Sequence, residues 1–249
     1  MGEPQDLVEG LSVTYETFYE EDPGQVGDII EFDLLQKHGE QIVVNTYEIP
    51  NYRVRAMLAE PLFETDYMKV LRLLSPGDSV KIDIALNTIP QDQIPRELNS
   101  TNGNLTFIIS VRNVWNEEKV IETMVSNLSD GNPEVWTKTS RGVRIFWDEE
   151  GKGPKAAFGD SLSIHVVGKF VSGYTFMSTF ESEPVEFLLG EGIVEPKAWE
   201  DACSLVAEGD KITVLSPHEM AFGSLDRNPV LKYSTLVFEI DVLKVKKSQ

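Results

Sequence analysis

The stretch VEFLLGEGIVEPKAWEDACSLVAEG, residues 185–209, reads as a strand, a glycine turn and one short helix carrying Trp199. Pro196 opens the helix, because its fixed φ suits a first turn. Gly209 stops it, because glycine takes the left-handed conformation of a C-terminal cap without strain. Trp199, Ala202, Cys203 and Val206 fall at i, i+3, i+4 and i+7, so one helix face is apolar and must be covered. The flanking chain alternates apolar and polar residues at a period of two, the pattern of half-buried strands. The stretch therefore predicts a single helix laid into a curved sheet.

The same unit is written twice. Gly27-Asp28 returns as Gly159-Asp160, Thr46 as Thr179, Gly77-Asp78 as Gly209-Asp210, and Leu105-Thr106-Phe107 as Leu236-Val237-Phe238, always at an offset of 131 to 133 residues. The first copy predicts its helix over 65–75, with Tyr67, Val70, Leu71 and Leu74 on one face and Tyr67 in the place of Trp199. After each first Gly-Asp pair the alternation continues, Ile30, Phe32, Leu34 in one copy and Leu162, Ile164, Val166 in the other. Between the copies, residues 116–141 begin acidic and carry Val120, Ile121, Met124, Val125 and Leu128, which predicts a short amphipathic helix before the turn at residues 129–133 and Trp136. Short connections favour antiparallel pairing, so the fold class is α+β. Residues 1–115 and 142–249 are each expected to form an antiparallel sheet wrapped around one short helix, with 116–141 as connector.

Composition excludes several functions. With 41 acidic against 22 basic residues the chain carries a net charge of −19, which argues against binding nucleic acid or an anionic membrane. No run approaches the roughly 18–20 apolar residues of a membrane span, so no membrane insertion is expected, and the first residues lack the basic and apolar regions of a leader. The single cysteine, Cys203, lies on the apolar helix face and reads as packing. His38, His165 and His218 have no cysteine partners at metal-ligand spacing, so no metal or other cofactor is expected. Gly151-Lys152-Gly153-Pro154 lacks the spacing of a phosphate loop. The Asn-x-Ser/Thr matches at Asn99, Asn104 and Asn127 read as chance.

In the second copy the order Glu150-Gly151-x-Gly153, Gly159-Asp160, His165, Gly168, Gly173-x-x-Phe176, Phe187-x-Leu189-Gly190, Trp199, Gly209, Ala221-Phe222-Gly223 and Ser234-Thr235-Leu236-Val237-Phe238 resembles the FKBP-type peptidyl-prolyl cis-trans isomerases. The first copy matches in skeleton and resembles a degenerate FKBP domain. The resemblance implies two FKBP-like domains and, in the second, an apolar bowl that binds Xaa-Pro segments of peptides or unfolded clients, and family macrolides. It places Val166, Phe176, Met177, Val185, Val194, Glu195, Trp199, Phe222 and Phe238 in that bowl, with Trp199 as its floor and Phe187 in support. Four of these positions depart from the family: Met177 stands for an aspartate, Val166 and Phe222 for tyrosines, and Val185 for a phenylalanine. Either Glu195 or Pro196 occupies the place whose N–H meets the ligand carbonyl, and proline has none. Two readings follow: an isomerase-like protein with weak or lost turnover, or a catalytically silent chaperone-like scaffold. Similarity to tandem FKBP-like proteins points to a bacterial cell-envelope location, with a cytoplasmic one as the alternative.

Overall fold

The computed structural model describes residues 3, 5–19, 23–49, 52–94 and 103–248, so Asn99 lies outside the described residues. The chain divides into two compact units, Met1–Asn116 and Glu117–Gln249. The first contains β1 (Gln5–Val8), β2 (Leu11–Thr17), β3 (Ile29–His38), β4 (Gln41–Asn45), β5 (Val54–Met57), α1 (Met68–Leu71), β6 (Ser79–Ala85) and β7 (Asn104–Trp115). The second contains α2 (Glu117–Leu128), β8 (Thr137–Lys138), β9 (Arg144–Glu149), β10 (Ser161–Phe170), β11 (Thr175–Ser178), β12 (Val185–Leu188), α3 (Lys197–Cys203), β13 (Lys211–Ser216) and β14 (Leu236–Lys246). One sheet runs β4-β3-β7-β6-β2-β1 with β5 also on β3, and the other β11-β10-β14-β13-β9-β8 with β12 also on β10. Position by position these are the same order, and every pairing is antiparallel.

The recurring Gly-Asp pairs form the same turns in both units. Gly27, Gly159, Gly77 and Gly209 all have φ between +92° and +95°, a region that a side chain would strain. Each following aspartate then bends its carboxylate back to a backbone N–H three residues earlier. Asp28 accepts from Gln25 at 2.9 Å and Asp160 from Ala157 at 2.8 Å, while Asp78 accepts from Ser75 and Asp210 from Ala207, both at 2.8 Å. The second pair also reaches across the fold, Asp78 to the Tyr19 N–H at 2.7 Å and Asp210 to the Gly151 N–H at 2.6 Å. The repeated threonines match as well: Thr46 Oγ1 accepts the Leu34 N–H and Thr179 Oγ1 the Val166 N–H, each at 2.8 Å.

Both helices are shorter than the periodicity predicts. The second was expected to run from Pro196 to Gly209 and instead spans Lys197–Cys203, with Pro196 outside it as an extended N-cap residue. Beyond Cys203 the backbone finds other partners. The Val206 carbonyl accepts from Ala156, Glu208 N–H donates to Pro154, and Asp210 takes the Ala207 N–H. The first helix was expected over 65–75 and spans Met68–Leu71, because bonds of the i→i+3 type tighten both ends and Asp78 takes the Ser75 N–H. The apolar faces are buried as the spacing requires: Val70, Leu71 and Leu74 in one unit, Trp199, Ala202, Cys203 and Val206 in the other.

The units differ on the outer face of the sheet. In the first, β6 and β7 set Asp83 opposite Thr106, whose hydroxyl donates to the carboxylate at 2.5 Å. The same register position in the second pairs Leu215 with Val237, both buried under Ile121 and Val125 of α2 and under Trp136. The stretch expected as a connector thus folds onto the second unit as a cover for an apolar patch that the first unit lacks.

Candidate functional site

Eight of the nine residues singled out from the sequence lie in or against one apolar cluster of the second unit. Trp199, on α3, meets Phe238 of β14 edge to face, with ring centroids 5.5 Å apart and planes at 89°. Phe238 in turn meets Phe176 of β11 at 6.4 Å and 79°, and Phe176 leans on Phe170 of β10 at 5.1 Å. These tilted contacts set the positive edge of one ring against the negative face of the next. Gly168 makes room for them: it lies opposite Phe238, and a Cβ there would come within 2.7 Å of Phe176 and Met177.

Depth separates these residues into floor and rim. Val166 and Phe238 are fully covered and Trp199 and Val194 nearly so, whereas Phe176, Met177, Val185 and Phe222 are half-buried. The Trp199 Nε1–H is buried and has no hydrogen-bond partner. Glu195 stands outside the cluster with its side chain 61% exposed, 3.5 Å from Nη2 of Arg227. Together with Lys197, Ala221, Phe222, Leu225 and Arg227 it lines a concavity of about 220 Å³. The turn before Val194 is held from α3, where Glu200 Oε1 accepts the N–H of Gly190 at 2.6 Å and of Gly192 at 3.1 Å. Sequence reasoning missed Lys197, Arg227 and Glu200, because periodicity marks apolar faces and does not say where a charged side chain reaches.

Chemically the site offers an apolar, aromatic-rich surface. Burial pushes the Cys203 thiol up to about 12, with the Glu200 charge adding to the effect, so Cys203 is no nucleophile. Among the described residues no three His, Cys, Asp or Glu side chains could hold a metal ion. His165 is held by Thr179 at 3.2 Å and stacks on Phe180. In the first unit the corresponding floor is Tyr67 stacked on Phe107, with centroids 5.2 Å apart, and Val44 stands where the second unit has Met177.

Residues 153–243 match the model of the family described as FKBP-type peptidyl-prolyl cis-trans isomerase. An FK506-binding protein of Neisseria meningitidis serogroup A is 32% identical over 99 residues, which cover 39% of this chain and 90% of that protein. The chain belongs to the FKBP-type peptidyl-prolyl isomerase family. FK506-binding protein 4 of Emericella nidulans is 31% identical over 109 residues, covering 44% of this chain and 22% of that protein. For a probable FKBP-type peptidyl-prolyl cis-trans isomerase of Haemophilus influenzae the figures are 32% over 109 residues, 43% and 44%. The matched stretch thus spans less than half the length of these two relatives. Among solved structures, FkpA from Escherichia coli aligns with a TM-score of 0.45 and 26% identity over 53% of this chain and 60% of that one. The three FKBP domains of wheat FKBP73 align with a TM-score of 0.42 and 14% identity over 99% of this chain and all of that one.

Proposed function

We propose that the second unit binds Xaa-Pro segments of peptides or unfolded chains over the Trp199 floor, and that it turns prolines over weakly or not at all. On this reading residues 142–249 form the binding domain, residues 1–115 a degenerate copy and residues 116–141 the connector between them. The observation that carries the reading is that half-buried Phe176, Met177, Val185 and Phe222 pack against the apolar cluster that holds Trp199, whose buried Nε1–H has no partner. Rotation about a prolyl amide must cross about 18–20 kcal/mol, and the twisted amide loses resonance and polarity. A dry apolar bowl therefore binds the twisted form better than water does, with no nucleophile. Orienting hydrogen bonds would add about 0.5–1.5 kcal/mol each, and Met177, Val166 and Phe222 supply none. FK506, which the relatives are named for binding, is the natural probe.

The test is a protease-free isomerisation assay on a Leu-Pro tetrapeptide, alongside NMR titrations with that peptide and with FK506. The expected result is a low kcat/KM that Phe176→Ala lowers about tenfold, equivalent to ~1.4 kcal/mol, with ligand shifts centred on the Trp199 indole. An indole resonance that neither ligand moves would overturn the reading.

A second reading, a silent interaction or chaperone-like scaffold, is favoured by β4. Gln41-Ile42-Val43-Val44-Asn45 carries no charge and ends its sheet, with Ile42 54% and Val43 41% exposed. Sheet edges of this kind accept an extended strand unless charge or proline blocks them. On this reading Ile42→Lys removes the ability to slow aggregation of an unfolded client and leaves peptide binding by the second unit unchanged. Equal protection by wild type and variant rejects it.

A further inference from the structure

The rim residue Phe222 follows a segment whose start is held by a side chain from outside the repeated fold. Both units place a 3-10 turn at the same point after the corresponding strand, Leu86–Thr88 in the first and His218–Met220 in the second. In the first unit the Leu86 N–H donates to the backbone carbonyl of Gly103 at 2.9 Å. In the second, the equivalent N–H, that of His218, donates to Oε1 of Glu117 at 2.7 Å. The same oxygen accepts the Thr235 hydroxyl at 2.7 Å, and Oε2 lies 2.5 Å from His218 Nδ1.

The carboxylate therefore ties together two segments that frame the bowl: the turn leading to Phe222 and the entry to β14, three residues ahead of Phe238. Its hold passes along the backbone. Gly223 N–H donates to the His218 carbonyl and Tyr233 N–H to the Gly223 carbonyl, both at 2.8 Å, while the Tyr233 ring packs edge-on against His218 at 5.4 Å. Both partners are sheltered, with the Glu117 side chain 15% and that of His218 8% exposed, which strengthens the bonds they make. Burial pushes the Glu117 carboxyl up, but the bonds from His218 and Thr235 outweigh it and hold it below the usual carboxylate value. A lowered value means the stabilisation is present at neutral pH and is lost only as pH falls through that lowered value. Charged groups elsewhere on the packed elements include Glu118, paired with Arg144 at 2.6 Å and Lys138 at 3.4 Å, Lys119 and Glu122 of α2, Glu239 and Asp241 of β14, the exposed Glu219, and Lys232 over the Tyr233 ring.

We infer that Glu117 is a positioning residue for the bowl: it fixes the segment from His218 to Gly223 so that Phe222 stands as a wall, and the affinity for an Xaa-Pro peptide depends on it. The ligand in this inference rests on the proline-binding reading; the placement of the wall does not.

Glu117→Ala and Glu117→Gln test it in the full chain. Glutamine keeps an oxygen for the His218 N–H and the Thr235 hydroxyl. The first readout is the amide spectrum of the free protein, in which resonances of Ala221, Phe222 and Gly223 are expected to shift in Glu117→Ala and to stay near wild type in Glu117→Gln. The second readout is affinity for a Leu-Pro tetrapeptide, expected to fall about tenfold in Glu117→Ala and to stay within about twofold in Glu117→Gln. Should Glu117→Ala not fold, Glu117→Asp, whose carboxylate is one methylene short of the His218 N–H, decides by the same two readouts and is expected to move as Glu117→Ala does.

Unmoved resonances from Ala221 to Gly223 overturn the inference, as does unaltered affinity despite moved resonances. A wild-type protein that binds neither prolyl peptide nor FK506 instead removes the proline-binding reading, and the free-protein spectra still show whether Glu117 sets the wall.

Discussion

Asp210→Ala is expected to destabilise the second unit by about 3–5 kcal/mol, among the largest effects of any single change in this chain. Asp210 is buried, and its two oxygens accept three donors: the Gly151 N–H at 2.6 Å, the Ala207 N–H at 2.8 Å and the Trp147 indole N–H at 3.0 Å. Alanine leaves all three in a place that water reaches poorly, and each unpaired buried donor costs about 1–3 kcal/mol. The neighbouring backbone has no slack to absorb the loss, since a Cβ at Gly151 would already lie 2.3 Å from the Glu208 carbonyl oxygen. Asp78→Ala, the matching change in the first unit, removes the acceptor of the Tyr19 and Ser75 N–H groups and is expected to cost less, about 2–3 kcal/mol. Hydrogen exchange followed by mass spectrometry assigns each loss to its own unit. Equal protection of β9 and β13 in wild type and Asp210→Ala would contradict the assignment.

Trp199→Ala is expected to lower stability by about 3–5 kcal/mol, the usual cost of emptying a large aromatic site in a core, and to abolish peptide binding. The indole is 5% exposed and forms the Trp199–Phe238–Phe176 chain of edge contacts, so its loss opens a cavity beneath the rim. Trp199→Phe keeps an aromatic edge against Phe238 and is the variant to interpret if alanine unfolds the unit. Its denaturation midpoint should fall between the other two, with peptide affinity weakened about tenfold. Wild-type affinity in both variants would show that the ligand lies elsewhere.

The parts of the fold legible from sequence were those whose physics is local. A glycine with positive φ followed by an aspartate that bonds three residues back has a fixed spelling, so Gly27-Asp28, Gly159-Asp160, Gly77-Asp78 and Gly209-Asp210 exposed the duplication. Alternation placed Leu236, Phe238, Ile240 and Val242 on one buried face for the same reason. Helix ends were not legible. What stops α3 is the capture of the Ala207 N–H by Asp210 and the bonds from Ala156 and to Pro154, none of which periodicity records. At the site, the apolar floor and rim came from the family resemblance, while the charged lip of Lys197 and Arg227 depended on how the start of α3 and a distant loop come to line the same concavity. The pair Glu117 and His218 is 101 residues apart in sequence and left no local trace.

The cover formed by α2 bears on how such a fold can be cut. The family match begins at residue 153, yet Leu215 and Val237 on the back of that sheet are dry only because Ile121, Val125 and Trp136 lie over them. A gene fragment trimmed to the family's own limits would carry a bald, sticky back into solution, whereas one beginning at Glu117 would not. The piece of chain that keeps this face covered is therefore longer than the stretch that the family model matches.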